Sequence, residues 1–248
     1  ASLRTICSGG APIPPSTVTA FHEAFGLWIH NIYGLTETTS PSHATPIGTQ
    51  GPVDSASGAL SVGVPIYGTV VRILDDDGAE LPPGEIGEIC TSGPQVVAGY
   101  WGKPEETAHA FPTGELAQPE LRTGDVGYMD ADGWFYIVDR KKDQINAGGY
   151  KVWPREVEDV LYEHPAVREA AVVGVADEYR GETVKAFVSL RAGASATPEE
   201  LIAFTRERMA AYKYPRQVEL LDEVPKTSTG KFDKNDLRRR YAGHVMAP

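Results

Sequence analysis

The chain has 248 residues, 41% hydrophobic and 23% charged, enough to bury a substantial core as one large domain or two smaller ones. Its net charge of −11, from 34 acidic against 23 basic residues, argues against nonspecific nucleic-acid binding but leaves room for a local basic patch. No apolar run approaches the ~18 residues that span a bilayer, and no signal or lipidation motif is visible.

In chain order, the sequence opens without an initiator Met or any capping device, on a strand predicted over 3–7 that runs straight into Gly9 and Gly10. This reads as an entry in mid-domain, and the chain is expected to be a piece of a longer protein. Val18, Phe21 and Phe25 form an i, i+3, i+7 stripe closed by Gly26, which predicts a short amphipathic helix. A strand over 28–33 then delivers Tyr33, Gly34, Thr36 and Glu37 at its end. Residues 40–60 are rich in Ser, Pro, Gly and Thr and read as loop. From 63 to 138 the texture is β: alternation over 69–74, a strand over 85–91, and a hairpin whose second arm is 134–138. This stretch predicts a small antiparallel sheet or barrel.

Five charges at 139–143 and the Gly148-Gly149 pair mark a domain boundary. Beyond it helix and strand alternate. Pro154 opens a helix, 170–175 and 184–190 are strands, and Thr197 with Glu200 forms a capping box starting a helix that runs to about 212. A last strand covers 218–221. Cys7 and Cys90 have no motif spacing and read as structural thiols in a reduced, cytoplasmic setting.

Two segments carry chemistry. Tyr33, Thr36 and Glu37 place an aromatic ring, a hydroxyl and a carboxylate beside Gly34. Such a set suits stacking a base, bonding a phosphate and holding a magnesium ion. Lys231, on a loop with Gly230, is placed to meet developing negative charge. Taken alone, Tyr33 reads as a core aromatic, Asp125 as a turn residue and Lys231 as a solvated lysine. Together they point to chemistry on a nucleotide phosphate.

The ordered set Ser8-Gly-Gly-Ala-Pro12, Tyr33-Gly-Leu-Thr-Glu37, Leu121-Arg-Thr-Gly-Asp125, Asp139-Arg140, Gly148-Gly149 and Thr229-Gly-Lys231 resembles the C-terminal half of the adenylate-forming superfamily. That superfamily comprises acyl-CoA synthetases, carrier-linked adenylation domains and firefly-type luciferases. The likeness runs from about residue 3 to 240 and is strongest toward bacterial fatty-acyl-CoA ligases. The resemblance implies an α+β chain. Residues 1–139 would be the C-terminal part of a large α/β N-terminal domain, mostly β over 60–138 and ending in a β-barrel-like subdomain. Residues 140–248 would be a small mobile α+β domain with its hinge near Lys142.

The same resemblance implies an acid–thiol ligase acting on a long- or medium-chain fatty acid, with ATP, Mg2+ and CoA. A carboxylate attacks the α-phosphorus of ATP, and CoA then displaces AMP. Lys231 would bridge the carboxylate and α-phosphate, Thr36 would bond the α-phosphate, and Glu37 would bind magnesium. Tyr33, beside Gly34, would stack on adenine against Gly9, Gly10 and Ala11. Asp125 would take the ribose hydroxyls, with Arg140 reaching the ribose or phosphate end. The Gly148-Gly149 loop would replace the Lys231 loop after domain rotation, so that pantetheine slides past bare backbone.

Some features depart from the pattern. The family's loop for the β- and γ-phosphates is expected N-terminal to residue 1, so this chain alone is expected not to complete the reaction efficiently. Residues 114–122 read as a loop variant, and Asn146 stands where some relatives carry a lysine. His43 is a candidate for the carboxylate pocket; His22, His30, His109, His164 and His244 lack ligand spacing. Arg238, Arg239 and Arg240 read as a helix-end charge cluster, with a CoA phosphate contact as the sharper alternative. The rival functions are an adenylation domain loading a carrier protein and a non-catalytic nucleotide- or acyl-binding module. Acyl chain length, an aryl against an alkyl acid, and oligomeric state are not readable.

Overall fold

The computed structural model describes residues 2–55, 58–112, 119–228 and 230–241. The chain forms two compact units, Ala1–Lys141 and Lys142–Pro248. Thr229, residues 114–118 and His244, each singled out by the sequence, lie outside the described residues.

The first unit opens with β1 (Ile6–Ser8), α1 (Pro15–Phe25) and β2 (Ile29–Tyr33). Pro15 starts α1, and Gly26 ends it in the left-handed conformation at φ 69°, returning its N–H to the His22 carbonyl, the ordinary glycine helix stop. β1 and β2 are parallel, Ser8 opposite Asn31. Short strands β3 (His43–Ala44) and β4 (Val64–Pro65) complete this sheet in the order β1-β2-β3-β4. β3 sits inside the stretch read as loop: His43 and Ala44 pair with both β2 and β4. Gly63 is required where the chain passes this sheet, since a Cβ there would lie 2.1 Å from the Ala44 carbonyl carbon.

A second sheet follows: β5 (Val70–Leu74), β6 (Gly87–Ser92), β7 (Glu120–Met129) and β8 (Phe135–Arg140), antiparallel in that order. Among the described residues no pairing joins β5 to β8, so the sheet is open and the expected barrel is not formed. With β5 and β8 left as edges, the sheet does not close on itself. Instead one apolar face packs as a cluster of Val62, Ile73, Ile89 and Phe135, with Tyr33, Met129 and Ile137 against it. The β texture is also broken by α2 (Pro104–Ala110), which has Pro at its first position and Glu105 and Glu106 in its first turn.

The second unit is built on a five-stranded sheet. β9 (Ile145–Ala147) and β10 (Tyr150–Val152) form a hairpin. After α3 (Pro154–Tyr162) come β11 (Val167–Asp177) and β12 (Gly181–Leu190), then α4 (Pro198–Arg206), β13 (Gln217–Leu220) and α5 (Lys234–Tyr241). The order is β10-β9-β12-β11, with β13 parallel to β12. Alternation along β11 and β12 makes two cores. Ala170, Val172, Val184, Ala186 and Val188 pack with Val157, Leu161 and Leu201 of α3 and α4. Ala171, Val173 and Phe187 pack on the other face with Val224, which precedes α5, and with Leu237 of α5 itself. Period-two side chains buried on both faces explain why these strands read as continuous apolar runs.

The capping box of α4 forms as predicted: Thr197 Oγ1 accepts from Glu200 N at 3.2 Å, and Thr197 N donates to Glu200 Oε2 at 2.8 Å. The helix stops at Arg206 rather than near 212. There Arg208 stacks on Phe204 at 3.6 Å and donates to the Phe204 carbonyl at 2.9 Å, which closes the last turn.

Candidate active site

Parallel pairing of β1 and β2 puts the residues that follow them, 9–11 and 33–37, at the same sheet edge. This is where α/β sheets bind ligands, outside the carboxyl ends of their strands. Gly9 is pressed against β2: a Cβ there would lie 2.6 Å from Ile32 Cγ1 and 2.9 Å from the Ile32 carbonyl oxygen. Gly10 has φ 81°, so Ala11 follows a left-handed step. Gly34 is equally constrained, because a Cβ would meet Ser40 Oγ at 2.9 Å. The chain folds back there through a 3-10 turn, Thr36–Thr38. The buried Thr38 hydroxyl locks the turn, accepting from Leu35 N at 2.9 Å and donating to its carbonyl at 3.0 Å. Thr36 is left exposed and Glu37 half-buried.

A second group converges through Tyr33. Its hydroxyl donates to Asp125 Oδ2 at 2.7 Å, and Arg140 Nε donates to Asp125 Oδ1 at 3.1 Å. Asp125 and Arg140 face each other across β7 and β8. Asp125 is only 4% exposed; burial raises its pKa, against the lowering effect of Tyr33 and Arg140. Burial and the adjacent Asp125 push the Tyr33 phenol well above its usual value. Each carboxylate oxygen has a second lone pair, so these two bonds leave acceptor capacity for further hydroxyls. The turn before Asp125 is fixed by Thr123 Oγ1 donating to the Ile89 carbonyl at 2.7 Å and by Gly124 N donating to Glu88 Oε1 at 3.2 Å.

The Tyr33 ring also meets His43, with centroids 5.4 Å apart, and His43 meets Phe135 at 4.8 Å. His43 is fully buried, and burial lowers its pKa to about 3. It therefore stands as a neutral ring in the core behind Tyr33. Cys90 is likewise buried and free, its thiol pushed up to about 12 by burial, which fits an inert structural thiol.

Three contributors were not legible in the sequence. Glu88, 7% exposed, meets Arg122 and Lys141, each at 3.3 Å, besides Gly124. Lys141 also pairs with Asp76 at 3.0 Å. Tyr100 donates its hydroxyl to Glu37 Oε1 at 2.6 Å.

Lys231, Gly148 and Gly149 belong to the second unit. Gly148 and Gly149 form the two-residue turn of the β9–β10 hairpin, with φ 64° and 88°. Positive φ at both positions favours glycine. Asn146 Oδ1 accepts from Gly149 N at 3.0 Å, so this residue serves the turn. Lys231 lies exposed in a tight loop, where Thr227 N donates to the Lys231 carbonyl at 2.7 Å and Lys226 bridges Phe232. On α5, Arg238 pairs with Asp143 at 2.7 Å, while Arg239 and Arg240 pair with Asp236 at 3.5 and 2.7 Å. These partners fit the charge-cluster reading of the three arginines.

Among the described residues no group of three or more His, Cys, Asp or Glu could hold a metal. Glu37, half-buried with one oxygen bonded by Tyr100, offers a hard oxygen ligand of the kind that a magnesium ion arriving with nucleotide phosphates would accept.

The parallel-strand edge with its Gly-rich and Thr-Glu turns, and the small sheet unit that follows, lie in the two stretches that match known family models. Residues 1–101 match the AMP-binding enzyme family and residues 156–231 its C-terminal domain, and the chain belongs to that family. Among curated relatives, the long-chain-fatty-acid–CoA ligase of Bacillus subtilis (strain 168) is 48% identical over 241 residues, covering 96% of this chain and 40% of that protein. Feruloyl-CoA synthase of an Amycolatopsis species is 41% identical over 240 residues, 97% of this chain and 47% of that one. Among solved structures, ATP-bound MatB from Rhodopseudomonas palustris superposes with a TM-score of 0.86 at 33% identity, over 97% of this chain and 46% of that one. The chain thus spans less than half the length of each. No helix among the described residues is long and apolar enough to cross a membrane.

Proposed function

We propose that the full-length gene product is an ATP-dependent acyl-CoA ligase, joining a carboxylic acid to CoA through an acyl-adenylate, with a fatty acid as the leading substrate class. The single observation that carries this is the convergence at one strand edge of the Thr36-Glu37 turn and the Tyr33–Asp125–Arg140 linkage. The reading is supported by the fatty-acid ligase relative.

The site must do two things before attack: hold two mutually repelling anions together, and neutralise charge that develops on the phosphate. Thr36 supplies a hydroxyl donor to the α-phosphate. Asp125 orients the ribose and Tyr33 lines the adenine, opposite residues 9–11. Arg140 offsets the Asp125 charge and faces the ribose end. Lys231 supplies the mobile positive charge, bridging the carboxylate and α-phosphate oxygens during adenylation. Magnesium held by Glu37 would screen the phosphate oxygens. In the second step the bare backbone at Gly148 and Gly149 gives the narrow thiol arm its passage, and Lys142 is the pivot between the two arrangements.

The test is pyrophosphate exchange across fatty and aryl acids using the full-length gene product, followed by AMP release on adding CoA. Acid-dependent exchange with CoA-dependent release is expected. Exchange followed by release to a carrier protein but not to CoA would replace the acceptor. Absence of exchange with every acid would overturn the proposal. The aryl acids belong in the panel because the feruloyl-CoA synthase relative is 41% identical.

A further inference from the structure

Glu37 has an unusual demand placed on it. To hold a cation carried by the nucleotide it must present one oxygen in a fixed direction, and among the described residues no group of three or more His, Cys, Asp or Glu is there to share the task. A half-buried Glu on a three-residue turn has freedom in three side-chain torsions, which such a role cannot tolerate. The structure supplies a restraint from one segment, the stretch between β6 and the end of α2.

That segment grips the Thr36–Thr38 turn at several points. Val97 N donates to the Glu37 carbonyl at 2.9 Å. Thr39 Oγ1 donates to the Gln95 carbonyl, and Gln95 Nε2 donates to Thr69 Oγ1 at 2.7 Å. The Tyr100 hydroxyl then reaches the Glu37 side chain itself, 2.6 Å from Oε1. Among the described residues Tyr100 is the donor that meets this carboxylate.

Tyr100 is in turn fixed from behind. Its N–H donates to Thr107 Oγ1 at 2.9 Å, and the Thr107 hydroxyl donates to the Lys103 carbonyl at 2.7 Å. Its ring lies 5.9 Å from that of Phe111. Gly99 permits this approach, for a Cβ there would stand 2.4 Å from Thr107 Cγ2. The phenol is a neutral donor: burial and the Glu37 carboxylate push its pKa up to about 12, so it keeps its proton across the physiological range.

We infer that Tyr100 is a positioning residue for Glu37: its hydroxyl holds Oε1 so that Oε2 is presented to a divalent cation carried by the nucleotide. This inference rests on the adenylating reading above, and it assigns a role to a residue outside the motifs on which that reading stands. In this assignment Tyr100 acts through Glu37 and not on the nucleotide or the acid. The ring and its contacts with Phe111 survive in Tyr100→Phe, so that variant removes the donor alone.

The experiment measures Mn2+ binding to the full-length gene product in the presence of ATP, by water-proton relaxation, for wild type, Tyr100→Phe, Glu37→Gln and the double variant. Tyr100→Phe is expected to weaken Mn2+ binding about 10-fold, the usual effect of losing an outer-shell partner. ATP binding without metal should be unchanged. In the Glu37→Gln background the Phe substitution should add nothing. In pyrophosphate exchange the magnesium concentration for half-maximal rate should rise in the same proportion, with the rate at saturating magnesium largely retained. Unchanged Mn2+ binding in Tyr100→Phe, or equal losses in both backgrounds, would overturn the positioning role and leave the adenylating reading standing. If wild type bound no Mn2+ with ATP, the metal role of Glu37 and this inference would fall together.

Discussion

The Tyr33 hydroxyl and the Asp125 carboxylate, 92 positions apart in sequence, meet at 2.7 Å and so bind the end of β2 to the middle of β7. The bond satisfies a carboxylate that is almost wholly buried, and it fixes a ring that also meets His43 and the apolar cluster. Hydrogen bonds to a charged acceptor contribute about 1.5–3 kcal/mol. Tyr33→Phe is therefore expected to raise the ATP concentration for half-maximal exchange about 10- to 100-fold. An unchanged ATP requirement would show that the hydroxyl serves the fold and not the nucleotide.

His43 gives a prediction in pH. The unfolded chain protonates this imidazole near the usual value of about 6.5, whereas the folded chain keeps it neutral down to about 3. Protonation thus favours the unfolded state, and this contribution to stability is present above about 6.5 and lost as pH falls below it, at up to about 1.4 kcal/mol per pH unit. His43→Gln lowers stability at neutral pH but should flatten the loss between about pH 6.5 and 5. Urea midpoints for both proteins across that range check the slope; parallel curves would count against it.

The turn glycines allow a test that tells the two proposed half-reactions apart. Gly149 sits at φ 88°, where a Cβ costs about 1–2 kcal/mol. Gly149→Ala should lower hairpin stability by that amount. It should also slow CoA-dependent release of AMP while leaving pyrophosphate exchange near the wild-type rate. Loss of exchange in equal measure would place the turn in the first step as well.

Lys231→Ala should do the reverse. Exchange is expected to fall by at least about 100-fold, the scale of losing one charge-stabilising donor in a transition state. Thioester formation from supplied acyl-adenylate should persist. Its exposed position in a loop closed by Thr227 and Phe232 makes a folding defect a poor explanation for such a split.

Local devices were legible in the sequence because their partners are close along the chain. Thr197 and Glu200 are three residues apart, and Gly26 ends the helix it follows; Gly148 and Gly149, by contrast, mark a domain boundary in the sequence but form the turn of the β9–β10 hairpin. Pro104 followed by Glu105 and Glu106 is an equally local helix start, but it lay inside a stretch whose alternation had been extended across it. The barrel expectation failed for a different reason: alternation specifies strands, not whether the first meets the last. Glu88 and Tyr100 were beyond reach because their partners, Lys141 and Glu37, lie 53 and 63 residues away. Nothing near either residue in sequence marks it. Asp125 and Arg140 were named from the resemblance, yet their direct pairing came from the register of β7 and β8.

Lys141 is anchored to Asp76 and Glu88 in its own unit, and Asp143 to Arg238 in the next. Between those two moorings stands a single residue, Lys142, where the proposed pivot falls. Dissolved ions screen the exposed Lys141–Asp76 pair more than the pairs to the buried Glu88 and Asp143, so under the proposed rotation salt would leave the pivot confined to Lys142.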